Sequence, residues 1–380
     1  MTQTTKAKNS DDDRMVHVAL ELSEKKWVLA FSDGRRATKA RLVTIESRDL
    51  ARLREELAAA RERFRMPQSA AVVSCYEAGR DGFWIHRYLE SIGVNSVVVD
   101  AASIEVNRRR RRRKTDRIDA RKLLATLLRY HAGETDVWSV VRVPEDEDED
   151  ARQLHRELEE LRNEVKRHRM RLQSLLVTQG ISMEITADFQ RELPKLRRWD
   201  GSKLLPGLAA RLRREHQRLT KARGQIRQLE KQRRAQLRKR DGTNPRLEKV
   251  RELAKLKGIG ENGSWVFVME FFGWRQFNNR KEVAGAAGLV PTPFDSGEST
   301  HEQGISKAGN GRVRYMAVEL AWCWLRWQPQ SALSQWFTAK FASGGSRRRR
   351  IGIVAVARKL LIALWRFIEH GEVPEGAVCA

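Results

Sequence analysis

The sequence predicts an α/β domain with a mixed sheet, followed by a long helical connector and a small, mainly helical carboxy-terminal domain. Three observations carry this expectation. Short β-rich runs alternate with helical spacings as far as about Thr126. Leucines then recur at intervals of three and four, and glycine-punctuated apolar helices close the chain.

Taken in order, residues 1–14 are polar, hold Asp11, Asp12 and Asp13 in a row, lack the apolar core of a signal peptide, and read as a disordered tail. Met15–Leu22 and Lys26–Phe31 read as two strands joined at Ser23–Lys25, an opening hairpin, and Ala40–Ile45 as a third strand. Arg48–Phe64 has helical spacing in Leu50, Leu53 and Leu57. Ala70–Tyr76 is a short strand ending at Glu77, Ala78 and Gly79; a helix from Gly82 to Ile92 and a buried strand from Asn95 to Val99 follow. Three strands, helix, strand, helix, strand, helix is compatible with a ribonuclease-H-like fold over residues 15–136. In such a sheet Glu21 ends the first strand and Glu77 the fourth, at one edge near the final helix.

That final helix follows the densest charge in the chain. Arg108, Arg109, Arg110, Arg111, Arg112, Arg113 and Lys114 run directly into Thr115-Asp116-Arg117-Ile118-Asp119-Ala120. Asp116 and Asp119 are three apart, so on a helix they share a face and repel unless a cation lies between them. A divalent metal beside a nucleic-acid phosphate would supply that cation, with the basic run holding the phosphodiester. The plainer alternative is that Asp116 caps the helix and Asp119 decorates its first turn.

Residues 137–245 read as the connector. Pro144 and the acidic run Glu145–Asp150 suit a helix start, and Leu154, Leu158, Leu161, Val165, Leu172 and Leu175 form a seam with His168 at its polar position. A break near Gly180 precedes a second helix, from about Leu208 to Arg240, striped by Leu212, Leu219, Ala222, Ile226 and Leu229. The two helices fit either a hairpin within one chain or pairing between subunits. In the last part, residues 246–380, a helix, a Gly258-Ile259-Gly260 turn and an apolar helix at Ser264–Phe272 look like a helix-hairpin-helix, whose backbone amides can hold a DNA phosphate. Gly288-Leu289-Val290-Pro291, a loop from Thr292 to Gln303 containing Ser296, and Lys307-Ala308-Gly309-Asn310 lead into the helix of Arg314. Trp322, Trp324, Trp327 and Trp336 suit a core helix and its exit, and a glycine-serine loop precedes Arg347, Arg348, Arg349 and Arg350.

Composition narrows the function. The 380 residues carry 74 Lys plus Arg against 49 Asp plus Glu, a formal charge of +25, which calls for a polyanionic partner. The most apolar segment, Ile351–Ile368, is broken by Arg358 and Lys359, which argues against a membrane span. Cys75, Cys323 and Cys379 are too scattered for a disulfide framework or a zinc site.

Glu21-Leu22-Ser23, Glu77-Ala78 and Lys114-Thr115-Asp116-Arg117-Ile118-Asp119-Ala120 resemble the DEDD transposases of the insertion sequence 110 family, and the Gly-Leu-Val-Pro, Ser-Gly and Lys-x-Gly-Asn series is similar to that family's carboxy-terminal domain. The resemblance implies a RuvC-like amino-terminal domain with Mg2+ (or Mn2+) on Glu21, Glu77, Asp116 and Asp119. Glu21 departs from the family's aspartate by one methylene. It further implies Ser296 as nucleophile, giving a covalent phosphoserine intermediate, and a structured, element-encoded guide RNA as well as DNA. Lys307, Asn310, Arg314, the two glycines of the turn and both arginine runs are expected at the nucleic acid. A homo-oligomer, dimer or tetramer, in the bacterial cytoplasm at the nucleoid completes the expectation. Two other classes share these residues: a metal-dependent junction nuclease without a covalent intermediate, and a non-catalytic nucleic-acid-binding protein.

Overall fold

The computed structural model describes residues 14–35, 37–104, 115–240, 242–296 and 299–379, the side chains of residues 102, 293–296 and 299–303 excepted. Residues 1–13 of the expected tail, the basic run 108–114 and Gly297 lie outside the described residues. The chain divides into two compact units, one ending at Val143 and the other beginning at Pro144. No described helix is long and apolar enough to cross a membrane.

The first unit is a five-stranded mixed sheet in the order β3-β2-β1-β4-β5. Its strands are β1 (Val16–Leu22), β2 (Lys26–Ser32), β3 (Arg41–Glu46), β4 (Val72–Glu77) and β5 (Val94–Val99), with helices α1 (Leu50–Arg63), α2 (Trp84–Ser91) and α3 (Asp116–His131). β1 runs antiparallel to β2 and parallel to β4; β4 and β5 are parallel. Side-chain alternation sorts the two faces. Val16, Val18, Leu20, Trp27, Leu29 and Phe31 share a core with Leu53 and Leu57 of α1 and Ile85 and Leu89 of α2. Ala19, Ala30 and Cys75 face the other way and let α3 settle on the sheet through Ala120, Leu123, Leu124 and Leu127. Val137 and Trp138, expected to open the connector, pack into this second core.

The second unit begins with α4 (Asp146–Asp150), which stops short of α5 (Gln153–Val177), so the acidic start and the leucine seam are two helices rather than one. Four-residue α6 (Phe189–Glu192) lies in the connection to α7 (Pro206–Arg238). Proline at the first position of α7 needs no donor there. α5 and α7 pair antiparallel within the chain, since Arg162 meets Glu230 at 2.9 Å while Arg171 meets Glu215 at 2.6 Å. Leu172, Leu176, Phe189, Leu212 and Leu219 form their shared core. Glu215, almost fully buried, accepts from His168 at 2.7 Å, so the polar seam histidine is a cross-helix partner that sets register.

The remaining elements are α8 (Pro245–Ala254), α9 (Gly260–Phe267) continued by a π turn at Val268–Phe272, α10 (Arg280–Ala286), β6 (Pro291–Ser296), β7 (Ser299–Ile305), α11 (Gly311–Trp327), α12 (Ala332–Phe341) and α13 (Ser346–His370). Their core gathers Trp265, Phe267, Phe271, Trp324, Val356, Leu360 and Leu364. Two expectations change here. The stretch 292–303 is expected as a loop, but Pro291–Ser296 and Ser299–Ile305 pair as antiparallel strands; Pro291 and Pro293 hide the strand pattern, and a two-stranded ribbon is all edge, where proline is tolerated. The arginines 347–350 stand inside the start of α13, not ahead of it.

Candidate active site

Two regions hold the expected chemistry. In the first unit Leu20 pairs with Tyr76, so Glu21 and Glu77 are the next residues on adjacent parallel strands. α3 lies antiparallel to β1: His131 at its end stacks edge-on to His17 at 5.1 Å, and the Cys75 thiol points to the Leu123 carbonyl at 3.9 Å. Four residues of helix back from Leu123, about 6 Å, bring the chain to Asp119, and two residues of strand on from Cys75, also about 6 Å, bring it to Glu77. The start of α3 and the ends of β1 and β4 therefore lie at the same end of the sheet.

Thr115, not Asp116, caps α3: its hydroxyl accepts from the Ile118 amide at 3.4 Å, leaving Asp116 exposed in the first turn. Asp119 takes the Lys122 ammonium on Oδ1 at 3.1 Å, while its Oδ2 is buried and without a partner among the described residues. A carboxylate oxygen removed from water in this way wants a cation, and a hard divalent ion suits an all-oxygen donor set. Among the described residues, no three acidic, histidine or cysteine side chains already stand close enough together to hold a metal. The donor types and their common end of the sheet fit magnesium.

In the second unit Ser296 is the last residue of β6 and pairs across the hairpin tip with Ser299. The hairpin's feet are tightly made. The Ser306 amide donates to Val290 O at 2.9 Å, that of Lys307 to Gly288 O at 3.1 Å, and that of Asn310 to Ala286 O at 2.8 Å. Glycine is required on both sides: at Gly288, with φ +67°, a Cβ would come within 2.1 Å of Ala308 O, and at Gly309, with φ +102°, within 2.3 Å of Ala286 O. Two separate signatures of the sequence, Gly-Leu-Val-Pro and Lys-x-Gly-Asn, are thus one clasp.

The expected nucleic-acid residues divide by environment. Asn310 caps α11, its Oδ1 accepting from Arg312 N at 3.0 Å and Val313 N at 3.2 Å, and Arg314 donates to Ala287 O at 3.1 Å. Both side chains are engaged in the fold. Lys307 is exposed, with a left-handed φ of 55°. Gly258 and Gly260 take φ of +93° and +64° and turn the chain between α8 and α9. Arg347, Arg348, Arg349 and Arg350 are exposed and have no ion-pair partner among the described residues.

One ionised residue escapes the sequence reading. Glu270, at the middle of the π turn, has no solvent exposure, yet it accepts from His155 Nε2 at 2.9 Å, Arg156 Nε at 2.8 Å and Asn310 Nδ2 at 3.1 Å. Burial pushes its carboxyl upward, but the hydrogen bonds from His155, Arg156 and Asn310 and the guanidinium charge outweigh burial and hold it well below the usual carboxylate range. Its signal is a lone glutamate within the apolar run Val266–Phe272, which demands buried partners.

Residues 250–335, which contain the turn, the clasp and Ser296, match the family described as Transposase IS116/IS110/IS902. The Sinorhizobium fredii protein named "Putative transposase y4rJ" is 40% identical over 373 residues, covering 96% of this chain and 94% of its own length. "Putative transposase y4qE" of the same organism is 28% identical over 320 residues, 77% of this chain and 74% of its own. The "Transposase for insertion sequence element IS1533" of Leptospira borgpetersenii is 32% identical over 115 residues, 30% of this chain and 32% of its own. With a relative of 40% identity aligned along nearly its whole length, and with the family match lying over the clasp and its serine, the chain belongs to the IS110 family of insertion-sequence transposases.

Proposed function

We propose that this transposase cuts and rejoins DNA through Ser296 as nucleophile and through Glu21, Glu77, Asp116 and Asp119, which would hold Mg2+ (or Mn2+) on a ribonuclease-H-like domain. The observation that carries the reading is the place of Ser296: the tip of a short hairpin whose feet are clasped, inside the family-matched segment. A serine presented in this way can reach a backbone phosphate while its strand stays fixed.

The Ser296 hydroxyl attacks phosphorus, forming the Oγ–P bond and breaking the bond from phosphorus to one ester oxygen of the strand. The serine proton passes to a base, and the departing oxygen gains a proton and ends as a hydroxyl. Attack by the hydroxyl of a different strand reverses the step, restores serine and remakes a phosphodiester, so no outside energy source is needed. A bound divalent ion supplies neutralisation of phosphate charge. The exposed arginines of α13 and the basic run 108–114 hold the polyanion, and a structured RNA guides partner choice within a homo-oligomer.

Trapping on end-labelled DNA tests the reading. Wild-type protein should acquire a label that survives denaturation and disappears in Ser296→Ala. Strand cleavage without a protein-linked product would select the junction-nuclease reading, and sequencing of co-purified RNA tests the guide.

A further inference from the structure

The π turn at Val268–Phe272 places one carboxylate where three elements meet. His155 and Arg156 reach Glu270 from the first turn of α5, and Asn310 reaches it from the start of α11. Asn310 is committed in two further directions, since its Oδ1 caps α11 and its backbone amide donates to Ala286 O. Ala286 ends α10 and leads into β6; Asn310 follows the exit from β7. Both feet of the hairpin that carries Ser296 therefore converge on a residue whose side chain is held by Glu270.

A buried ionic cluster is a poor source of net stability, because desolvating the charges offsets most of their attraction. Its strength is direction: several hydrogen bonds to one carboxylate fix both side chains and backbone in a single arrangement. A π turn is itself a local irregularity that re-aims one side chain within an otherwise regular helix.

We propose that Glu270 is a positioning residue for Ser296: through Asn310 it sets the feet of the β6–β7 hairpin, and through His155 and Arg156 it ties that setting to the long helix α5. The inference rests on Ser296 being the nucleophile. It makes the serine's reach depend on the placement of α5, so a shift of that helix would be transmitted to the reaction centre without any contact to DNA.

The test is an exchange of acid and amide in the full-length protein. Glu270→Gln keeps the shape and removes the charge; Asn310→Asp puts a second carboxylate against the first; the double variant restores an acid–amide hydrogen bond and keeps a good helix cap at 310. Covalent attachment to labelled DNA, normalised to the folded fraction, should fall about 10- to 100-fold in each single variant, the range that misplacing a reacting group by about an ångström produces. DNA affinity should stay within about twofold in Glu270→Gln, whose side chain has no solvent exposure, and the double variant should recover most of the lost rate, a non-additivity diagnostic of direct coupling. An undiminished rate in Glu270→Gln, or a double variant as slow as the two single losses combined, would overturn the proposal. Should wild-type protein form no Ser296-dependent adduct, the serine reading fails, and hydrogen exchange at the Ser306, Lys307 and Asn310 amides judges the link alone. Faster exchange in Glu270→Gln that is reversed in the double variant upholds the link, and unchanged exchange refutes it.

Discussion

Asp119 combines two environments in one side chain: one oxygen meets Lys122, and the other is buried and unpaired among the described residues. If such an oxygen serves a metal shared with Asp116, Asp116→Asn should abolish strand cleavage while leaving nucleic-acid affinity equal or higher, because a repulsive charge is removed. A strand-exchange assay paired with a binding titration separates the two effects. At Glu21, Asp should retain or raise activity and Ala should abolish it; Ala behaving as wild type would remove the position from the site. His17 makes a different residue-scale prediction. Burial, then the charge of His131, lowers its pKa to about 4, with Asp33 pulling the other way. The unfolded chain therefore binds the proton first, so stability is full above about pH 6.5 and declines as pH falls toward 4, by ~3 kcal/mol. Hydrogen exchange of the β1 amides should show that slope in wild type and not in His17→Gln.

At the scale of elements, the first unit is legible in the sequence because its helices bury one face and show helical spacing, while its central strands, covered on both faces, read as short apolar runs bounded by turn residues. The antiparallel pairing of α5 and α7 is left open by its leucine stripes, since a stripe states that a face is covered and not by what. The β6–β7 hairpin is hidden: its sequence is mostly polar and carries two prolines, and what holds its feet is the clasp of backbone hydrogen bonds, which no local pattern announces. That clasp is testable. Gly309→Ala forces a side chain onto a φ of +102° and against Ala286 O, which should cost about 2 kcal/mol or more, read as a lower melting temperature and as protease sensitivity within 291–305. Glu270 escapes notice for the opposite reason. An isolated acid in an apolar run announces burial, but its partners come from 114 to 115 and 40 positions away, beyond any local pattern.

For the molecule as a whole, the excess of cations states the partner's class and not its sequence. Replacing Arg347, Arg348, Arg349 and Arg350 with Gln should weaken binding to unrelated DNAs alike and flatten the dependence of log affinity on log salt by roughly 0.9 for each phosphate no longer neutralised. Selective weakening at one base pair would mean base readout instead. Three of these residues, Arg347, Arg348 and Arg349, lie in the first turn of α13 and Arg350 directly follows, where the helix presents its positive end, an arrangement that opposes their charge. A polyanion laid across that turn would offset both the repulsion among the arginines and the field of the helix end. Tryptic cleavage after Arg347, Arg348, Arg349 and Arg350 should therefore slow when DNA is added, and a cleavage rate unchanged by DNA would separate these residues from the polyanion.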